Sequence, residues 1–178
     1  MAILRFAMAV WADHRRGAAA FAILLCAGCA TPDGLLAGAT EADVRSRFGR
    51  PDAEYALPDS SGKRLEYVFG PYAQRDWMID FDRNGRVVAS DQVRTMEHFF
   101  SLRTGQDDEA QVRRTVGTPY QIERYALSGL TAFLYPYRES GAWDSMMAVY
   151  FDASGRVVRV ENGPDPRFLG PGRVGGDK

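Results

Sequence analysis

Cysteine is nearly absent from this chain: 178 residues hold two, Cys26 and Cys29. Both sit in the segment that ends at Cys29, so the remainder can form no disulfide and offers neither a thiol nucleophile nor a cysteine metal site. Histidine is as scarce, with only His14 and His98. An excess of either charge is lacking too: 22 basic against 23 acidic residues leave a net charge of -1, without the basic footprint that nucleic acid demands. No apolar run approaches the ~20 residues that a helix needs to cross a bilayer. Neither a G-x-S-x-G elbow nor a glycine-rich phosphate loop after a strand is present. What remains is a folding composition, 46% hydrophobic and 12% aromatic, with 18 glycines and 9 prolines marking many turns and short connections. The length suits one ordinary domain or two very small ones.

The segment Met1 to Gly28 differs from the rest. Arg15 and Arg16 precede an apolar stretch, Gly17 to Ala27, of the size of a signal-peptide core. Met8 would give a more compact signal than Met1. The stretch ends in Leu25-Cys26-Ala27-Gly28-Cys29, which resembles the bacterial lipobox, with Cys26 where leucine is usual. The resemblance implies cleavage after Gly28 and a diacylglycerol on Cys29, with residues 29–34 as a linker to the folded part. Two or three acyl chains make such anchoring stable where one would be marginal. Ala30 in place of aspartate implies sorting to the outer membrane, facing the periplasm. Removing Arg5, Arg15, Arg16 and Asp13 with the signal leaves a net charge of -3, so lipid rather than charge would provide the membrane contact.

Beyond the linker the sequence is written twice. Glu41, Ala42, Val44, Arg45, Gly49, Pro51 and Tyr67 recur at one constant offset as Glu109, Ala110, Val112, Arg113, Gly117, Pro119 and Tyr135. Phe81, Asp82, Gly85, Arg86, Val87 and Val88 recur, at an offset longer by two, as Phe151, Asp152, Gly155, Arg156, Val157 and Val158. So many matches in order define two repeats, 35–93 and 94–162, the second carrying a two-residue insertion between its matched blocks. In repeat 1, Thr40 caps a predicted helix that Gly49 ends and Pro51 stops. In repeat 2, Asp107 or Asp108 caps its counterpart before Gly117 and Pro119. A further helix is predicted over 95–103, and its counterpart in repeat 1, with only 34–38 to form it, is one turn or lost.

Alternating strands follow, around Leu65 to Phe69 and Trp77 to Phe81, then Phe133 to Tyr137 and Met147 to Phe151. Asp82-Arg-Asn-Gly85 and Asp152-Ala-Ser-Gly155 turn each sheet into its last strand. The expected fold is α+β: two tandem helix-helix-antiparallel-sheet (ααβββ-type) repeats with three or four strands each. The glycine- and proline-rich residues 163–178 are expected to be disordered.

A helix ending in V-R-x-x-x-G-x-P, an aromatic strand L-E-Y, and F-D-x-x-G-R-V-V after a lipobox resemble the SmpA/OmlA (BamE-like) family of outer-membrane lipoproteins. The matching residues are Val44, Arg45, Gly49, Pro51, Tyr67, Phe81, Asp82 and Gly85, and again Val112 to Pro119, Tyr135 and Phe151 to Val158. The order covers nearly the whole chain after Cys29, as two units where that family's assembly factors carry one. The tandem architecture is also similar to the β-lactamase inhibitor protein. The resemblance implies the fold; the matched positions are helix ends, turns and core strands, so it assigns no contact residues.

Few residues are placed for chemistry. Asp80, Asp82, Asn84 and Asp91 mimic the spacing of an EF-hand calcium loop. A hairpin explains both copies of that segment, and Tyr150 stands where the second copy would need a carboxylate. His98, beside Phe99 and Phe100, lacks a nucleophile in sequence. The expectation is therefore no enzyme, no catalytic residue, no metal and no cofactor. Most of Trp77, Trp143, Tyr72, Tyr120, Tyr125 and Tyr137 should fill the sheet core. Trp143 and Tyr72, in the connecting segments 138–144 and 70–76, are the candidate partner contacts, since Trp, Tyr and Arg dominate binding hot spots. The expected function is a non-enzymatic envelope lipoprotein that binds a protein partner, in outer-membrane protein assembly or envelope integrity. The alternative is an inhibitor-like module on an envelope enzyme.

Overall fold

The computed structural model describes residues 32, 37–58 and 61–169. The signal segment, Cys29, the linker and residues 170–178 lie outside the described residues.

In repeat 1, helix α1 (Glu41–Phe48) leads into four strands, β1 (Ala53–Ala56), β2 (Gly62–Phe69), β3 (Arg75–Asp82) and β4 (Val87–Gln92). In repeat 2, helices α2 (Met96–Phe100) and α3 (Glu109–Val116) precede β5 (Gln121–Tyr125), β6 (Leu130–Glu139), β7 (Trp143–Phe151) and β8 (Val157–Pro164). Each set of strands forms its own antiparallel sheet in simple up-and-down order.

This corrects the expected fold class. The protein is two four-stranded sheets with few short helices, and not a pair of helix-helix-sheet repeats. The strands missing from the sequence reading are chiefly β1 and β5. Both are edge strands with mostly exposed or half-exposed side chains, so they carry no apolar alternation to detect. The expected helix at 95–103 shrinks to five residues, closed by Ser101.

Capping follows the sequence closely. Thr40 caps α1 with a reciprocal bond from its own N–H to Asp43, whereas Asp108, not Asp107, caps α3. Asp107 is buried and accepts hydrogen bonds from the Arg103 backbone and side chain instead. Gly49 and Gly117 close the two helices at φ 82° and 88°. The duplication extends to irregularities: a register shift at Asp80/Phe81 in β3 recurs at Tyr150/Phe151 in β7, and the bridge Thr40–Arg86 recurs as Asp108–Arg156.

Two cores result. One face of sheet 1 packs Leu65, Tyr67, Ile79, Phe81 and Val87 against Val44 of α1. Sheet 2 packs Phe133, Tyr135, Tyr137, Met147, Val149, Phe151 and Val157 against Phe99, Leu102, Val112 and Val116. Order continues past the expected start of the tail: β8 runs to Pro164, Asp165 is buried, and Pro166–Phe168 forms a 3-10 turn.

Candidate functional site: the junction and the groove above it

Residues directly opposite one another in neighbouring strands share a face. The register of β1, β2 and β3 therefore puts Tyr55, Arg64, Glu66, Asp76, Met78 and Asp80 together, on the face of sheet 1 opposite its core. The C-terminal end of α3 lies against that face. Arg64 donates to the Arg114 carbonyl at 2.7 Å and pairs with Asp80 at 2.6 and 2.8 Å. Thr118 donates its N–H to Glu66 Oε1 at 2.7 Å and its hydroxyl to Oε2 at 3.0 Å, while Tyr55 donates to Oε2 at 2.5 Å. Glycine is required at this corner: a Cβ on Gly117 would fall 2.1 Å from Asp76 Oδ2 and 3.0 Å from Glu66 Oε1.

Arg94 holds the junction together. Its side chain is 1% exposed, donates to the carbonyls of Thr118 at 2.7 Å and of Ala73, and lies 3.0 Å from Asp76 Oδ2. Burial pushes the Asp76 carboxyl up to about 9, with Glu66 adding to the rise and Arg94 opposing it. Burial also pushes up the Tyr55 and Tyr135 phenols. The Asp76 and Glu66 carboxyls meet at the Gly117 corner, both out of water, with the guanidinium on the Asp76 side.

A groove of about 940 Å³ opens beside this junction, between the β2–β3 loop, the start of α2 and the β6–β7 hairpin. The two loops singled out in the sequence meet here: Gln74 donates to Asp144 at 2.8 Å, and Arg138 pairs with the same carboxylate at 2.6 Å. Both contacts hold Asp144 below the usual carboxylate range. Tyr72 lines the groove and is half exposed. Trp143, 72% exposed at the start of β7, stands on the hairpin that walls the groove but does not line it.

Sequence reasoning missed the rest of this surface. Tyr72 meets Phe168 edge-on at 4.9 Å, and the Arg167 guanidinium lies over Tyr120 at 4.5 Å. Buried Asp165 fixes Arg167 at 2.6 Å, and Arg167 also donates to the Tyr72 carbonyl at 3.2 Å. Tyr72, Tyr120 and Phe168 are 50%, 50% and 40% exposed. A signal for the junction did exist: when the two sheets are aligned, Glu66 and Asp76 occupy the places that Leu134 and Met146 hold in the second copy, so the duplication breaks symmetry where repeat 2 docks on repeat 1.

Two sequence candidates for chemistry resolve into local structure. His98 Nδ1 lies 2.8 Å from Thr95 Oγ1 and its Nε2 lies 3.0 Å from Asp91, in the order of a nucleophile, a base and an acid. Yet Thr95 is the N-cap of α2 and accepts from the His98 N–H at 3.3 Å, so the group is a cap braced by a carboxylate. Asp82 accepts the Asn84 and Arg86 N–H groups, and Asp152 those of Ser154 and Arg156, which makes both segments hairpin turns.

The described residues thus define a duplicated antiparallel-sheet protein with a buried ionic junction and an exposed aromatic–arginine surface beside it. No family model matches the chain, and no curated protein matches its sequence. Among solved structures it is similar to a DUF4309 family protein, YjgB, from Bacillus subtilis, at 12% identity over 71% of this chain and 79% of that one, with a TM-score of 0.31. It is also similar to a candidate β-lactamase inhibitor protein from Streptococcus mutans, at 11% identity over 75% and 87%, with a TM-score of 0.30.

Proposed function

We propose that this protein is a non-enzymatic, lipid-anchored module of the outer membrane's periplasmic side that binds a protein partner through the surface formed by Tyr72, Tyr120, Arg167 and Phe168. The carrying observation is that this patch is at once exposed and fixed, since buried Asp165 holds Arg167 against Tyr120 and Tyr72 packs on Phe168. Rigid aromatic and arginine side chains lose little entropy on binding and dominate hot spots. The groove beside them supplies a concave seat for a protruding element of the partner. Lipid on Cys29 would supply the membrane contact, and neither nucleic acid nor a cofactor enters the reading.

Replacing Tyr72 and Phe168 by Ala is expected to abolish recovery of the partner with the full-length protein from gently solubilised membranes, with no change in its own abundance. Stoichiometric recovery that survives the double substitution would contradict the proposal. The partner's identity separates two versions of the reading. Components of the outer-membrane barrel-assembly machinery support a role in assembly, and a periplasmic enzyme whose activity falls on binding supports an inhibitor-like role. Cys29→Ser is expected to move the protein from the membrane to the soluble fraction.

A further inference from the structure

Resting on the binding surface proposed above, we infer that Arg94 is its positioning residue and that the Glu66–Asp76 carboxyl pair is a proton-operated latch on Arg94. The two sides of the surface come from different repeats, and Arg94 reaches both. Its guanidinium donates to Ala73, next to Tyr72, and to Thr118, two residues before Tyr120. Arg94, Glu66 and Asp76 are all essentially excluded from solvent.

The charge count sets the latch. One guanidinium balances one carboxylate, and a second buried carboxylate without a counter-charge is strongly unfavourable. Glu66 already accepts three hydrogen bonds, from Tyr55 and twice from Thr118, whereas neither carboxyl oxygen of Asp76 accepts one and only the Arg94 guanidinium, at 3.0 Å, opposes its protonation. The proton of the pair therefore resides on Asp76.

Neighbouring groups leave this balance intact. On the same face, Arg64 and Asp80 neutralise each other, and Asp91 of β4 is exposed and paired with His98. From repeat 2, Arg113 lies over Phe133, Arg114 bonds Gln111, and Tyr135 of β6 presents its ring to Arg94. Asp52 adds a further negative charge near Asp76 and strengthens the demand for a proton. When the proton leaves, the junction carries an excess negative charge. Admitting water between the Ala73 loop and the Thr118 corner relieves it, and the two sides of the surface part.

The test uses the full-length protein in detergent micelles, with 4-trifluoromethylphenylalanine at position 72, 120 or 127 and fluorine NMR from pH 6 to pH 10.5. Positions 72 and 120 are expected to shift together, with one midpoint near 9, while position 127, on the exposed β5–β6 turn, stays constant. Asp76→Asn keeps a neutral side chain of the same shape and is expected to remove the transition, leaving the low-pH signals throughout. Arg94→Gln is expected to give the high-pH signals at every pH.

No shared transition at 72 and 120, or a transition that persists in Asp76→Asn, would overturn the latch. Because fluorine NMR needs no partner, its result judges the latch alone. Retention of a partner by the Tyr72 and Phe168 variants judges the surface on which the latch acts.

Discussion

Gly49 and Gly117 occupy equivalent places at the ends of α1 and α3, with nearly the same φ, yet their surroundings differ. A Cβ on Gly49 meets nothing within 4 Å, whereas one on Gly117 enters the Asp76 carboxyl. Both backbones sit in a region that only glycine adopts readily, so Gly49→Ala is expected to cost about 1–3 kcal/mol. Gly117→Ala carries that strain and a clash at the junction, and should cost roughly 2 kcal/mol more in chemical denaturation. Equal losses would mean that the corner yields freely.

Asp76 makes a second prediction at this scale. Its carboxyl is raised in the folded state, chiefly by burial, from 3.8 to about 9. Folding therefore favours the protonated form. Its contribution to stability is complete below the unfolded value and is lost as pH rises through about 9. Unfolding free energy should accordingly fall between pH 5 and about pH 9 in the natural protein, and that slope should flatten in Asp76→Asn. An unchanged slope would place the titration elsewhere.

At the scale of elements, the short helix α2 illustrates how little helix the fold needs. Phe99, fully buried, packs on Tyr135 and Tyr137 at ring distances of 5.6 and 5.4 Å, while the next residue, Phe100, is exposed. Phe99→Ala should cost about 3–5 kcal/mol by equilibrium unfolding. Phe100→Ala should stay within about 0.5 kcal/mol.

The elements legible in the sequence were those whose pattern reports burial on one side: β2, β3, β6 and β7 alternate, and α1 and α3 carry caps and closing glycines. Edge strands β1 and β5 escaped because neither face of them is buried enough to impose a period. The second helix expected per repeat over-read α2, since the apolar residues of 95–103 include Phe100, which faces solvent. Of the proposed surface, only Tyr72 stood out as an aromatic in a connection; Trp143, singled out with it, lies outside that surface. Phe168, Arg167 and Tyr120 did not, because their meeting depends on Asp165 anchoring a segment whose composition reads as disorder.

In the whole molecule, the two repeats are unequal partners. Repeat 2 buries a cluster of eleven residues and repeat 1 a cluster of six. Repeat 1 completes its burial by covering the other face of its sheet with the α3 corner, through Glu66, Asp76 and Arg94. Repeat 2 should therefore be the more protected half in hydrogen exchange, slowest in β6 and β7, with β1 and β4 fastest among the strands. Slower exchange in repeat 1 would show that the junction, not the larger core, governs stability.

The same asymmetry sets where a partner can engage. The exposed apolar tip of the β5–β6 turn, Leu127, lies at one end of β6, and the Tyr72–Phe168 patch and the groove lie beside the hairpin at the other end. Ten residues of strand put those ends about 30 Å apart, so one compact contact cannot use both.

That separation gives the central claim its most direct test. A photo-crosslinking residue would be placed in the full-length protein at position 72, 168 or 127, and adducts formed in intact cells would be resolved by mass and identified. Positions 72 and 168 are expected to capture the same protein, and position 127 to capture none of it. Capture of that protein at 127 and not at 72 or 168 would contradict the account and move the binding surface to the opposite end of sheet 2.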